Sequence, residues 1–356
     1  MKAVEVVGGG LIGTSIALKV ASCGGHVRVV DDNPAHQRVA NGLLGSHLLP
    51  SSSEPELVVV ATPVDTLAIA ISEALCRYPR AIVIDTGSIK TKVLLEVSTY
   101  LEKNSMTERL SDFVPTHPMA GRELSGPDGA RSDLFEGRAW AITPHPALSP
   151  QALAAVEDFI EALGATSYEL TPVDHDRQVA MTSHLPQLLA SALAAILEEP
   201  LDLAGQGLRD MTRLAHSDGG MWAPIFEGNH EALEPLVEQL VKSINELKNK
   251  AFKRDAILSF MAAGIAGASK IPGKHGGNPR NYGSLSVVIS DQPGQLAKLF
   301  NHCADGEFNI EDLRIEHSPG QETGLISLYV QPGDLSTLND YLSIRGWHTT
   351  IISKGI

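Results

Sequence analysis

Cysteine is scarce in this chain: Cys23, Cys76 and Cys303 are the three in 356 residues. An odd number, widely separated, with no C-x-x-C pair and no metal-ligand spacing to histidine, excludes a disulfide framework and predicts no metal centre. Reduced thiols are expected. Positive charge is also in deficit, with 28 Lys+Arg against 42 Asp+Glu and a formal net charge of −14. No basic patch offsets this, so neither nucleic acid nor an anionic membrane surface is an expected partner. Long apolar runs are missing too, and Met1 and Lys2 lead straight into a strand-like segment without an h-region or cleavage site. A cytoplasmic location away from the membrane is the expectation.

What is present fits a folded protein of several domains. Hydrophobic residues make up 43% and charged residues 20%, ordinary for a globular chain. At this length one core is too few, and two or three domains are expected. Short β-branched runs, Val4 to Val7, Val27 to Val30, Leu57 to Val60 and Ala81 to Ile84, alternate with helix-like stretches such as Leu11 to Ala21. Near-continuous Val/Ile runs separated by helices predict a doubly wound parallel sheet covered on both faces, an α/β domain over residues 1–148.

From Ser149 the pattern becomes helical. Ser149-Pro150 and Thr171-Pro172-Val173-Asp174 each offer a capping hydroxyl followed by proline at the first helical position. One long helix is predicted to run toward Glu199 and another from about Asn229 to Met261, giving a helical domain over 149–265 that packs on itself or on a second subunit. Residues 266–283, with Gly, Pro, Lys and Asn and little periodicity, read as a linker. Residues 284–356 then return to strands and helices in the order βαββαβ, the ferredoxin-like arrangement.

Gly8-Gly9-Gly10-Leu11-Ile12-Gly13 fits G-x-G-x-x-G between an apolar strand and a helix. Gly8 permits the tight turn, Gly10 lets backbone approach a pyrophosphate, and Gly13 lets helix and strand pack closely. Leu11 and Ile12 open the helix whose N-terminus faces the negative charge. Asp31 follows the second strand, where a carboxylate accepts hydrogen bonds from ribose hydroxyls and repels a 2′-phosphate, which favours NAD over NADP. Thr62 and Pro63 after the third strand, and Asp85-Thr86-Gly87-Ser88 after the fourth, lie at carboxyl ends where open parallel sheets bind ligands.

His117-Pro118-Met119-Ala120-Gly121-Arg122-Glu123, Ser125-Gly126 and Leu134-Phe135-Glu136-Gly137 resemble the prephenate and arogenate dehydrogenases. Gly87-Ser88-Ile89-Lys90, Ser183-His184-Leu185-Pro186, and Asp210-Met211-Thr212-Arg213 with Ser217-Asp218 and Trp222 extend the likeness over roughly the first 260 residues. The resemblance implies that His117 accepts the proton of the substrate's 4-hydroxyl, a task suited to imidazole. It implies that Ser88 positions His117 or that hydroxyl, that Arg213 holds a substrate carboxylate, and that Glu123 guards the mouth of the site through an ion pair. His184, on an apolar helix, also reads as a core histidine and ranks behind the direct contacts. Many members have histidine where this chain has Gln187. A neutral amide there leans toward prephenate, because an acidic residue would favour the ammonium of arogenate. The implied reaction is NAD-dependent oxidative decarboxylation of prephenate to 4-hydroxyphenylpyruvate, on a homodimer. Arogenate dehydrogenase, another dehydrogenase on the same nucleotide fold, and an NAD-binding amino-acid sensor without turnover stand as alternatives.

Asp291-Gln292-Pro293-Gly294-Gln295-Leu296, between a strand and a helix, resembles the ligand-binding turn of ACT domains. Pro293 is placed in the first helical turn, Gly294 leaves room for a ligand carboxylate at the helix start, and Asp291 faces its ammonium. The resemblance implies a tyrosine effector near Asp291, Gly294 and Asn309, or a dimerisation module without ligand.

Overall fold

The structure is a computed structural model that describes residues 2–121, 126–271, 282–317 and 323–354. The chain divides into two compact units, one of residues 1–195 and 214–240, the other of residues 196–213 and 241–356.

The first unit is built on five parallel strands: β1 (Ala3–Val7), β2 (His26–Val30), β3 (Leu57–Val60), β4 (Ile82–Asp85) and β5 (Phe113–Val114), in the order β2-β1-β3-β4-β5. The run Leu57-Val58-Val59-Val60 explains why both faces are covered. Successive side chains point to opposite faces, and Leu57 and Val59 join a core with Ile16, Val20 and Val156, while Val58 and Val60 join a second core with Leu67, Ile71, Val93 and Val97. All four strand residues are fully buried. Between β1 and β3 the strand order reverses, which sets the loops after both strands side by side at the carboxyl edge of the sheet.

A second sheet of three strands, β6 (Thr116–Pro118), β7 (Ala139–Ile142) and β8 (Thr166–Glu169), follows with β6 antiparallel and β8 parallel to β7. The helix Pro150–Ala162 packs Val156, Phe159 and Ile160 into the first core. Sheeted structure therefore continues past residue 148 to Glu169, and the mainly helical part begins at Pro172. Of the two long helices expected there, the first runs unbroken over residues 172–195 and the second is interrupted. The stretch from Pro172 contains a π-helical turn, Ala180–His184, between the helices Pro172–Val179 and Leu185–Ala195. Ala251 and Phe252, with φ of 51° and 50°, separate the helices His230–Asn249 and Arg254–Ala268.

In the second unit β9 (Gly283–Ser290), β10 (Asp312–His317), β11 (Thr323–Val330) and β12 (His348–Ser353) form an antiparallel sheet in the order β10-β11-β9-β12. With the helices Gln295–Asp305 and Leu335–Ile344 this is the βαββαβ arrangement, a ferredoxin-like fold. Leu285, Val287 and Ile289, alternate residues of β9, bury against Leu299, Leu338 and Leu342 of the two helices. The helix Arg254–Ala268 runs into the stretch expected as linker, of which residues 272–281 lie outside the described residues.

Candidate active site

The glycine turn leaves β1 at Gly8, whose φ of +104° is open to glycine. A Cβ there would lie 2.5 Å from the Ala61 carbonyl oxygen, so the loops after β1 and β3 touch through backbone. Gly13 is tighter still, because a Cβ would sit 1.9 Å from Gly8 O. Gly10 is the opposite case, with nothing within 4 Å of its Cβ position. It begins the helix Leu11–Ser22, which has no side-chain cap and no acidic residue in its first turn. Asp31 closes the cradle from β2, its carboxylate accepting from Gly9 N at 2.6 Å and Asn33 N at 2.8 Å. Thr62, after β3, has a buried hydroxyl oxygen without a hydrogen-bond partner among the described residues, and exposed Pro63 precedes the helix Val64–Arg77. Open space over Gly10, an uncapped helix start and an orphan hydroxyl fit the pyrophosphate and ribose of a dinucleotide. Substituting Gly13→Ala is expected to cost about 1–3 kcal/mol through overpacking and to weaken dinucleotide binding at least tenfold. Thermal melting and fluorescence titration check this, and unchanged values for both would refute the packing argument.

His117 is the central residue of β6, paired with Ala141 of β7. Its neighbour Thr116 ties β6 to the end of β4: Thr116 N donates to Asp85 Oδ1 at 3.0 Å and Thr116 Oγ1 donates to Asp85 O at 2.5 Å. Lys90, fully buried, ion-pairs with equally buried Asp85 and donates from Nζ to Thr116 O at 2.7 Å. His117 Nδ1 lies 2.9 Å from His175 Nε2, and His175 Nδ1 lies 2.9 Å from Asp176 Oδ1. Asp176 also accepts from the backbone N–H of Lys90 and of Thr91, at 2.8 Å each, and so caps the helix Thr91–Lys103 from far along the chain. Asn229 Nδ2 donates to Asp176 O at 2.9 Å and to His184 Nδ1 at 3.1 Å. The His184 ring meets Trp222 and Phe226 edge-on.

The electrostatics follow from this burial. Desolvation, then repulsion from His175, Lys90 and His184, holds His117 well below the ordinary histidine value. Lys90 is likewise lowered by burial, against the pull of Asp85. Burial alone would raise Asp176, but hydrogen bonds from His175, Thr91 and Lys90 outweigh it and keep the carboxyl below the usual range. His184 is lowered to about 4, chiefly by burial, with Asp176 opposing and His175 assisting. Since unfolded histidine titrates near 6.5, the stability that neutral His184 carries is complete above that pH and is lost as pH falls through 4. The loss is on the order of 3 kcal/mol. Urea unfolding at pH 7 and pH 4.5 should show it, and a His184→Phe variant should lose less stability over that interval. Equal losses in the two proteins would sink the assignment.

The other expected residues are distributed unevenly. Ser88 is partly exposed on the loop between β4 and the helix Thr91–Lys103, with no hydrogen bond from its hydroxyl to any described residue. Gln187 is buried, and its amide joins two segments of the fold, donating to Leu214 O at 2.9 Å and accepting from Ser217 Oγ at 3.3 Å. Arg213 starts a 3-10 turn, Arg213–His216, and is the last residue of its segment of the second unit. Glu123 lies outside the described residues. Sequence reasoning missed His175, Asp176 and Asn229. Adjacent residues on a helix point about 100° apart, so no spacing rule joins His175 to Asp176 or either to His117.

In the second unit a cavity of about 360 Å³ is lined by Ile289, Asp291, Gly294, Leu296, Ile315 and Ile326 among others. Two details differ from expectation. Gly294, with φ of +87°, is the N-cap of the helix Gln295–Asp305, so Pro293 stands before the helix and not within its first turn. Asn309 is not among the lining residues, and its Nδ2 donates to Glu311 Oε1 at 3.0 Å.

Comparison with known proteins agrees with this geometry. Residues 16–169 match the family model described as the nucleotide-binding domain of prephenate dehydrogenase, and residues 171–261 match its dimerization domain. A probable prephenate dehydrogenase from Streptomyces niveus is 28% identical over 364 residues, covering 98% of this chain and 99% of its own. The crystal structure of the Aquifex aeolicus prephenate dehydrogenase, in complex with hydroxyphenyl propionate and NAD+, is 28% identical with a TM-score of 0.65, over 75% of this chain and 98% of that one. That of Synechocystis arogenate dehydrogenase is 26% identical with a TM-score of 0.60, over 75% and 99%. No helix among the described residues is long and apolar enough to cross a membrane. The two matched models adjoin and together span the glycine-turn helix, the His117 cluster and the helices behind it, and on that ground the chain belongs to the prephenate and arogenate dehydrogenase family of NAD-dependent oxidoreductases.

Proposed function

We propose that this enzyme oxidises prephenate, with loss of its ring carboxylate as carbon dioxide, to 4-hydroxyphenylpyruvate. The observation that carries the reading is a histidine held neutral by its surroundings, His117, on a strand tied to the carboxyl end of β4, the edge of the parallel sheet that also carries the glycine turn. His117 accepts the proton of the 4-hydroxyl, and Ser88 bonds the same hydroxyl or ring. Arg213 takes a substrate carboxylate through its planar fork, and His184 backs the site from the core. Gly8, Gly10, Gly13 and the helix start at Leu11 and Ile12 hold the pyrophosphate of NAD, Asp31 the ribose hydroxyls, and Thr62 and Pro63 border the nicotinamide side. Bound there, NAD supplies the hydride acceptor. The protein's share is alignment, proton removal and exclusion of water.

The substrate assignment rests on neutral Gln187, whose amide is engaged with Leu214 and Ser217 and presents no carboxylate to an ammonium group. The deciding experiment is NADH formation by the purified protein with prephenate and with arogenate side by side. Faster turnover of prephenate supports the assignment, preference for arogenate transfers it, and inactivity with both removes it.

Two further parts of the reading concern assembly and control. A homodimer accounts for the helix Arg254–Ala268, which buries none of its residues in one chain and leaves Leu258, Phe260 and Met261 exposed. The ferredoxin-like domain acts as an ACT domain, with tyrosine in the cavity beside Asp291 and Gly294 as a regulator. Such control requires that tyrosine bind one state better than another. Calorimetry on the intact protein tests it, and no heat of binding would remove tyrosine as the effector.

A further inference from the structure

Asp176, His175 and His117 form one hydrogen-bonded line, and its fixed end determines where the protons sit. The ionised carboxylate of Asp176 accepts only. Its oxygens take the backbone N–H of Lys90 and Thr91, and Oδ1 also faces His175 Nδ1 at 2.9 Å. His175 therefore carries its proton on Nδ1, and a neutral ring then has a bare Nε2. The atom opposite that Nε2, at 2.9 Å, is His117 Nδ1, which must donate. Neutral His117 is left protonated on Nδ1 and bare on Nε2, an atom with no hydrogen bond to any described residue.

We propose that His175 and Asp176 are positioning residues for the proton-transfer step, selecting the His117 tautomer whose Nε2 is the free base. This rests on the reading of His117 as proton acceptor. When Nε2 takes a proton, the Nδ1 proton can shift to His175 Nε2, so that one proton enters the line and none leaves it. The resulting positive charge then lies on His175, next to the Asp176 carboxylate. The arrangement differs from a histidine held directly by a carboxylate, since here a second imidazole stands between them and the charge moves one ring away from the reacting atoms. The carboxylate is fixed by a helix N-terminus and a buried loop, and so the line has little freedom to reorganise.

The test is ¹⁵N spectroscopy of histidine-labelled full-length protein without substrate, with the His117 signals assigned by their loss in His117→Gln. The expected spectrum has His117 protonated at Nδ1 and bare at Nε2. A His117 protonated at Nε2 would overturn the proposal, whichever substrate the enzyme proves to use. Because the reading needs no turnover, failure of the prephenate assignment leaves this result standing. In His175→Ala the tautomer constraint is gone, so the Nε2–H form should appear and kcat should fall at least tenfold with the Kd for NAD unchanged. His175→Gln, whose amide oxygen can accept from Nδ1, should restore part of the loss. A kcat within twofold of wild type in His175→Ala would equally overturn the proposal.

Discussion

Replacing His117 by Ala is expected to lower kcat for prephenate by about 10²–10⁴-fold, the usual worth of a positioned proton acceptor, with the Kd for NAD within about twofold of wild type. The two effects separate because the glycine turn and the histidine are held independently. Gly8 is seated against Ala61 and Gly9 against Asp31, whereas His117 is held by β7, by the Asp85 and Lys90 anchors of Thr116, and by His175. The pH dependence should change as well. Burial, with His175, Lys90 and His184 nearby, lowers His117 well below 6.5, and a base acts only when unprotonated. The wild-type rate should therefore hold from neutral pH down past 6.5, with its acid limb below that value, and the Ala variant should lack that limb. Steady-state kinetics over pH 5 to 8 measure both, and a variant with near-normal kcat or an unchanged acid limb would remove His117 from the reaction.

How much of this was legible beforehand depended on the range of the interaction. Strands β1 to β4 could be read from Val/Ile runs because their apolar side chains fill the cores on the two faces of the sheet, and the glycine turn because Gly8 and Gly13 answer steric demands that the structure meets in backbone atoms, Ala61 O and Gly8 O. The βαββαβ order at the end of the chain was readable for a similar reason: alternate burial along β11 is local. What could not be read were contacts that join distant segments through single side chains. Asp176 caps a helix 85 residues earlier in the chain, and its use as a cap gives no signal at either site, since Lys90 is the formal N-cap position and its own side chain is turned to Asp85. The break in the second long helix was invisible for another reason. Ala251 and Phe252 are not residues that favour positive φ, so nothing local announces the turn they make. Gln187 was noticed for what it lacks relative to the family, yet its role in joining Leu214 and Ser217 emerges only from the fold.

The Lys90→Met substitution should have the largest effect on stability, about 3–5 kcal/mol. Lys90 and Asp85 are both fully buried, and removing the cation leaves a carboxylate in the core with only the N–H groups of Gly87 and Thr116 for compensation. The pair itself need not be strongly stabilising, because desolvating two charges consumes most of their attraction. That distinction can be measured. In Lys90→Met the uncompensated charge remains, whereas in Lys90→Met with Asp85→Asn it is gone, and the amide oxygen can still accept from Thr116 N. The double variant should therefore be more stable than the single, with urea midpoints as the readout. Both should lose turnover, because Lys90 Nζ also bonds Thr116 O and so fixes the strand that carries His117. A single variant within about 1 kcal/mol of wild type would mean that water or a neighbouring group reaches Asp85. A double variant no better than the single would place the cost in lost packing of the lysine stem and not in the buried charge. The structure favours the charge, since Asp85 has no exposed surface through which to be solvated.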